Sequence, residues 1–356
     1  MEGEIVNYIK AWLQVIPSLS YCFLVGKLLP PSRPFLRLFL MFPVFSLFLY
    51  LPLNLHSLHL GGTFAFFIAW LANSKLFLFA FNKGPLSLPP LSLPRFIALA
   101  SLPIKFQQTP EPTSHNNNDN NQKGQKSLVK YGIKGLVLAG IVRSYEYKQH
   151  FHTNLVLTLY SIHIYLTLEI ILVVFAAVSR TLTGVELEPQ FNEPYLSSSP
   201  QDFWGRRWNI MASRILRPTV YEPVYSVCLH MMGRKWASLP AVFATFLASG
   251  LIHELIFYYL GRVRPTWEIT WFFILHGFCL VVEIELKKRL SRRLRLPKVI
   301  LGPLTVGFVL VTAFRLFFPQ FLRCKGDERG LQEYVAAFMF LKNVTRSLTL
   351  GASWSL

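Results

Sequence analysis

Three histidines, His163, His253 and His276, fall inside long apolar runs. An ionisable side chain at bilayer depth is costly and is a functional-site hypothesis by default, with helix packing as the plain alternative. His253 is the strongest of the three. It stands in L-A-S-G-L-I-H-E-L-I-F-Y-Y, with Ser249 and Gly250 one turn away, and small residues let another helix or a ligand chain approach closely. A neutral imidazole held where water is scarce suits the removal of a hydroxyl proton. Glu254 follows directly, but adjacent helical residues point about 100° apart, so it does not share the face of His253. The H-E pair invites a zinc-protease reading, which needs a second His four residues on; Phe257 stands there and removes it.

The second cluster is Pro200–Asn209, P-Q-D-F-W-G-R-R-W-N. If helical, Trp204 and Trp208 share a face at i,i+4, with Arg207 about one turn from Trp204. Such a helix would lie at a membrane interface, where Trp prefers to sit. Arg206 and Arg207 would then meet phosphate groups, of lipid or of a nucleotide-bearing substrate. An interfacial anchor with snorkelling arginines is the bland alternative. Gly205 is poor in a plain anchor helix, which suggests a packing or approach constraint. His56, His59, His150 and His152 flank apolar runs, and His115 lies in an Asn-rich tract, all where water would satisfy them. The four cysteines form no C-x-x-C pair and read as small buried hydrophobes, so no metal site is expected.

Composition sets the elements that must hold these residues. The 356 residues carry 36 Lys+Arg against 18 Asp+Glu, a net charge of +18, yet only 15% are charged and 52% are hydrophobic. That is too little charge to cover a water-facing surface and too much apolar content for disorder. The basic residues sit between apolar runs, not on a soluble face, so no nucleic-acid partner is expected. The class is an all-α polytopic integral membrane protein, one domain over 1–356, with about eight transmembrane helices plus interfacial helices. Runs of ~20 apolar residues place spans near 8–29, 35–53, 63–81, 128–147, 153–178, 238–260, 266–286 and 299–318. Residues 94–104 read as a partial or re-entrant segment, and 331–341 as an interfacial helix or imperfect ninth span. Glu2 and Glu4, and no basic n-region, precede the first run, so it reads as a span and not as a cleaved signal.

Segment 287–298 holds seven basic residues and no acidic one, which places it in the cytosol. Alternation then brings 179–237, 82–127 and 30–34 to the same side. The acidic N-terminus, 54–62, 148–152 and 261–265 go to the other, with Arg262 and Arg264 as exceptions. Residues 105–127 read as a mobile Asn-rich cytosolic loop without chemistry. Residues 179–237 read as a long cytosolic or interfacial catalytic loop. No internal repeat suggests paired transporter halves.

Taken together, these motifs resemble a known family. F-W-x-x-x-W-N (Phe203, Trp204, Trp208, Asn209) followed by S-G-x-x-H-E in an apolar helix resembles the membrane-bound O-acyltransferases. E-L-E-P-Q-F-N-E-P-Y (Glu186–Tyr195), I-L-R-P-T-V-Y-E-P (Ile215–Pro223), W-F-F-I-L-H-G-F (Trp271–Phe278), H-L-G-G-T near residue 59 and W-L-A-N-x-K (Trp70–Lys75) are similar to plant wax synthases and plant acyl-CoA–sterol O-acyltransferases. The resemblance implies that His253 is the intramembrane catalytic base and Asn209 its polar partner. Trp204, Trp208, Arg206, Arg207, Glu254 and His276 are the expected substrate-binding residues. It implies acyl-CoA as co-substrate with no other cofactor, and a lipid alcohol from the bilayer of the endoplasmic reticulum as acceptor. A sterol or triterpenoid is the first expectation, a long-chain fatty alcohol the second and diacylglycerol the third. The rival readings are a wax ester synthase strictly for fatty alcohols, a catalytically silent scaffold, and a lipid or sterol transporter. In the transporter, His253, Glu254, His276, Glu283 and Glu285 would line a polar path.

Overall fold

The computed structural model describes residues 2–87, 91–103, 117–183, 190–289 and 297–352. Among them there is no strand. The helices are α1 (Glu2–Leu28), α2 (Pro34–Tyr50), α3 (Leu58–Ala80), α4 (Leu93–Ser101), α5 (Asn117–Ser144), α6 (Thr153–Thr183), α7 (Ile210–Leu216), α8 (Glu222–Met232), α9 (Ser238–Gly261), α10 (Glu268–Arg289), α11 (Lys298–Leu316), α12 (Phe318–Arg323) and α13 (Gly326–Ala352). Among the described residues, seven helices are long and apolar enough to cross a membrane: α1, α2, α3, α6, α9, α10 and α11.

An eighth, α5, carries the span expected at 128–147 and joins the two ends of the bundle, although its charges keep it out of those seven. Midway along it Lys130 pairs with Glu193 at 2.9 Å, while just past its end Lys148 meets Asp327 at 3.7 Å. These 18 positions span ~27 Å of helix, and between them Lys134 pairs with Glu169 of α6. Neutralising the charge inside the bundle lets a poorly apolar helix lie against α6. The expected Asn-rich loop is corrected in part. Residues 117–127 are the first turns of α5, a polar extension of a helix that continues into apolar sequence, and 104–116 lie outside the described residues.

The ends separate as the charge reading requires. At one end Glu4 accepts from the backbone of His56 and Ser57, Glu333 accepts from Ser57 and His59, and Tyr160 donates to Asp327. At the other end Gln201 meets Glu283, and Ser197 lies against Gly302. Arg262, an exception to the charge rule, donates to the carbonyls of Pro52 and Leu55, so its charge serves to cap a turn at the acidic end.

Helix α3 is apolar all round, which belongs to a helix enclosed by others. Phe64, Phe67, Ile68 and Leu71 are fully buried against α1, α2 and α4. Its middle, Ala65–Ala72, is wound with i→i+5 bonds, and the Lys75 ammonium beyond it donates to Leu99 O (2.5 Å) and Leu102 O (2.6 Å). That satisfies the free carbonyls of α4, whose nine residues are too few to cross, in keeping with a partial segment. Residues 331–341 are not a short helix of their own; they lie within the 27-residue α13.

Residues 190–237 are not a loop. They form a succession of short helical turns ending in α8, and 184–189 lie outside the described residues. Asn, Pro and Gly break the regular helix repeatedly, but Phe203, Met211, Ile215 and Leu216 are buried, so the segment packs into the bundle and does not float above it.

Candidate active site

Helices α9 and α10 lie in close contact. A Cβ on Gly250 would stand 2.9 Å from Thr270 Cα, and one on Gly277 2.9 Å from Phe246 Cβ. Both glycines are therefore needed for the helices to touch. His253 lies 15 residues after Ser238 on α9, or ~22 Å along it at 1.5 Å per residue. Its ring packs on Phe273 of α10 at 4.5 Å, and Phe317 stands at 6.3 Å. Nδ1 is 2.7 Å from the carbonyl oxygen of Ser249 one turn back. A carbonyl only accepts, so Nδ1 carries the proton and Nε2 presents its lone pair. No hydrogen bond reaches Nε2 among the described residues.

The other two intramembrane histidines differ. His163 is held between the hydroxyls of Tyr145 (3.0 Å) and Tyr334 (2.9 Å). His276, wholly buried, accepts from the Trp204 indole at Nδ1 (3.0 Å) and meets Thr312 Oγ1 at Nε2 (2.9 Å). His276 therefore has no free nitrogen for a substrate, which corrects its expected binding role. Glu254 points away from His253, as the helical repeat predicts. It is buried and takes the Thr270 N–H on Oε1 at 3.2 Å, tying α9 to the first turn of α10.

The Trp-rich segment departs from the interfacial-helix expectation. Pro200–Asp202 begins a helical turn that continues as a π turn over Phe203–Arg207 and stops at Trp208, whose backbone is extended. The i,i+4 face is thus broken. Trp204 turns inward onto Phe246, Phe272, Phe273 and His276, and Trp208 stacks on Phe203 at 5.5 Å beside Tyr165 and Phe191. Neither is a lipid anchor. Gly205 has nothing within 4 Å of an added Cβ, so the expected packing constraint there is absent.

Asn209 caps α7. Its backbone is left-handed (φ 44°, ψ 61°), a conformation Asn tolerates better than most residues, and its Oδ1 accepts from Ala212 N at 3.2 Å. The Nδ2 amide hydrogens remain uncommitted among the described residues. No hydrogen bond joins Asn209 to His253.

Arg207 is partly a structural clamp: Nε donates to Asp202 Oδ2 at 2.9 Å and Nη1 to the carbonyls of Asn192 and Glu193. Partial burial opposes ionisation of Asp202, but the Ser198 N–H and the Arg207 guanidinium outweigh it and hold the carboxyl below its ordinary value. Arg206 is exposed. Both arginines line a cavity of about 310 Å³ at the basic end, with Ser198, Ser199, Lys287 and Lys298. Sequence reasoning reads Lys287 and Lys298 only as topological charge. Phe273 lies within the W-F-F-I-L-H-G-F motif without a role read for it, and Thr312 carries no signal beyond being small in an apolar run.

The fold and site define a polytopic membrane protein in which, of the three intramembrane histidines described, His253 alone has a ring nitrogen without a hydrogen bond among the described residues. Residues 187–275 match the model of the Membrane bound O-acyl transferase family. An acyl-CoA–sterol O-acyltransferase of Arabidopsis thaliana is 50% identical to this chain, over 96% of it and 98% of the relative. A long-chain-alcohol O-fatty-acyltransferase of Simmondsia chinensis is 43% identical over 99% and 98%, and a probable one of Arabidopsis thaliana 42% identical over 99% and 100%. The chain belongs to the membrane bound O-acyl transferase family and is an O-acyltransferase.

Proposed function

We propose that this enzyme esterifies a lipid alcohol with the fatty acyl group of acyl-CoA in the endoplasmic reticulum membrane, with His253 as general base. The observation that carries the reading is the free Nε2 of His253, set against two neighbouring histidines whose ring nitrogens are all engaged. Nε2 takes the proton of the acceptor hydroxyl as its oxygen attacks the thioester carbonyl. The tetrahedral intermediate expels the coenzyme A thiolate, the C–S bond breaks, and the imidazolium returns the proton to sulfur. The uncommitted amide of Asn209 is the proposed donor to the oxyanion. Thioesters are already activated, so the scheme calls for no covalent enzyme intermediate.

The basic end, with its cavity of Arg206, Arg207, Lys287 and Lys298, faces the cytosol by the positive-inside rule and supplies cations for the phosphates of coenzyme A. Trp204 and Trp208 shape the segment between cavity and base. The transporter reading loses support at each of its other residues. Glu254 and His276 are bonded to neighbouring helices, Glu283 is paired with Lys287 and Glu285 with Lys288. The highest of these identities, to the sterol enzyme, favours a sterol or triterpenoid hydroxyl over a long-chain fatty alcohol.

His253→Ala should lower ester formation by about a thousandfold, within the range of a lost general base, without changing protein level in microsomes. Near-wild-type transfer of radiolabelled acyl-CoA would overturn the assignment. Expression in yeast lacking its own sterol and glycerol esterification, with mixed alcohols supplied, identifies the acceptor from the ester that accumulates.

A further inference from the structure

A one-way hydrogen-bond chain runs through three elements beside the base. The Trp204 indole N–H donates to His276 Nδ1 at 3.0 Å. Indole nitrogen cannot accept, so the neutral imidazole carries its proton on Nε2 and donates it to Thr312 Oγ1 at 2.9 Å. The Thr312 hydroxyl in turn donates to Phe308 O at 2.8 Å. Every donor is used, and the chain ends on a backbone carbonyl of α11. Its first member lies on the π turn Phe203–Arg207, whose residues Arg206 and Arg207, with Asp202 just before them, line the basic cavity. Trp204 also rests at 5.6 Å on Phe273, the ring that supports His253 at 4.5 Å.

We infer that His276 is a positioning residue: through Trp204 it docks the cavity-forming turn onto α10 and α11, and so fixes the distance from the phosphate cradle to His253. This rests on the proposed reading of the cavity and of the base. Thr312 sets the tautomer that lets His276 accept. Phe273 belongs to α10 and is buried by Phe272 and the Gly250 contact, so it holds His253 in place without help from Trp204. Breaking the chain therefore frees the cradle while leaving the base where it is.

The consequence is a loss largest for donors that use the cradle. Acyl-CoA carries phosphates, whereas the same acyl group on N-acetylcysteamine has the thioester alone. With purified full-length protein, Trp204→Phe and His276→Leu should each lower kcat/KM for acyl-CoA about tenfold, as loss of one buried hydrogen bond allows. The loss should appear mainly in KM, and kcat/KM for the N-acetylcysteamine thioester should fall much less. Combining the two substitutions should add nothing further, because both cut one chain. His276→Asn, whose amide oxygen takes the place of Nδ1, should restore most of the acyl-CoA value. Thr312→Val should fall between. Equal losses on both donors, or a His276→Asn variant no better than His276→Leu, would reduce the chain to ordinary packing and overturn the inference. A wild-type enzyme that does not prefer acyl-CoA would remove the cradle itself and this inference with it, whereas His253→Ala abolishing both reactions bears only on the base.

Discussion

At the scale of single residues, side chains that look alike in sequence are separated by what their second atom is doing. Three histidines at membrane depth are equivalent on paper; only hydrogen-bond partners leave His253 with a basic nitrogen. Asn209 is the opposite case: its sequence reading is chemical, and the structure adds a local role as the cap of α7 in a left-handed backbone. The two roles use different atoms and can be pulled apart. Asn209→Asp keeps an oxygen for the Ala212 N–H and removes the amide donor, so thermal stability in detergent should hold while kcat falls about a hundredfold, the usual cost of one oxyanion donor. Asn209→Ala loses the cap and strains the left-handed backbone, and should destabilise the protein by about 2 kcal/mol. An Asn209→Asp enzyme with full activity would leave the cap as the whole function of the residue.

At the scale of elements, two glycines that read alike turn out opposite. Gly205 stands where any side chain would meet open space, whereas Gly250 holds α9 against Thr270. Gly205→Ala should leave activity and melting temperature as they are. Gly250→Ala forces its methyl group into the backbone of α10 and should cost about 2 kcal/mol by overpacking, displacing His253 from Phe273 and lowering kcat; unfolding and turnover assays on the pair would show it. The spans are legible in the sequence because twenty apolar residues leave few alternatives in a bilayer. The turns between Phe203 and Tyr221 are not: Trp204 and Trp208 fit an amphipathic helix by spacing. Only the i→i+5 bond from Trp208 N to Phe203 O (2.8 Å) ends that helix and sends one ring inward onto α10 and the other toward α6. Spacing rules assume a regular repeat, and a π turn violates it.

At the scale of the whole molecule, orientation depends on whether α5 crosses. The sequence reading places a span at 128–147, but Lys130, Lys134 and Arg143 interrupt its apolar stretch and keep α5 out of the seven helices apolar enough to cross. The partners of those charges argue the other way: Lys130 reaches Glu193 at the basic end, Lys134 is neutralised by Glu169 within the bundle, and Lys148 finds Asp327 at the acidic end. Hydropathy counts charges one chain segment at a time and cannot register a counter-ion supplied by another helix. If α5 did not cross, the three spans before it and the four after it would be joined in the wrong sense, and the loop carrying Gly84 would lie on the same side as Gln149. Single cysteines placed at Gly84 and at Gln149 in a background with the four native cysteines replaced should therefore label from opposite faces of sealed microsomes: the first with a membrane-impermeant maleimide added outside, the second only after permeabilisation. Replacing Lys134 by Leu leaves Glu169 as an unpaired carboxylate beside apolar sequence. That variant should lose stability more than Lys134→Leu combined with Glu169→Leu, because an orphaned charge in hydrocarbon is worse than none. Labelling of both cysteines from the same face would mean that α5 lies along the membrane, and the cytosolic placement of the basic cavity would have to be argued again from α9 onward.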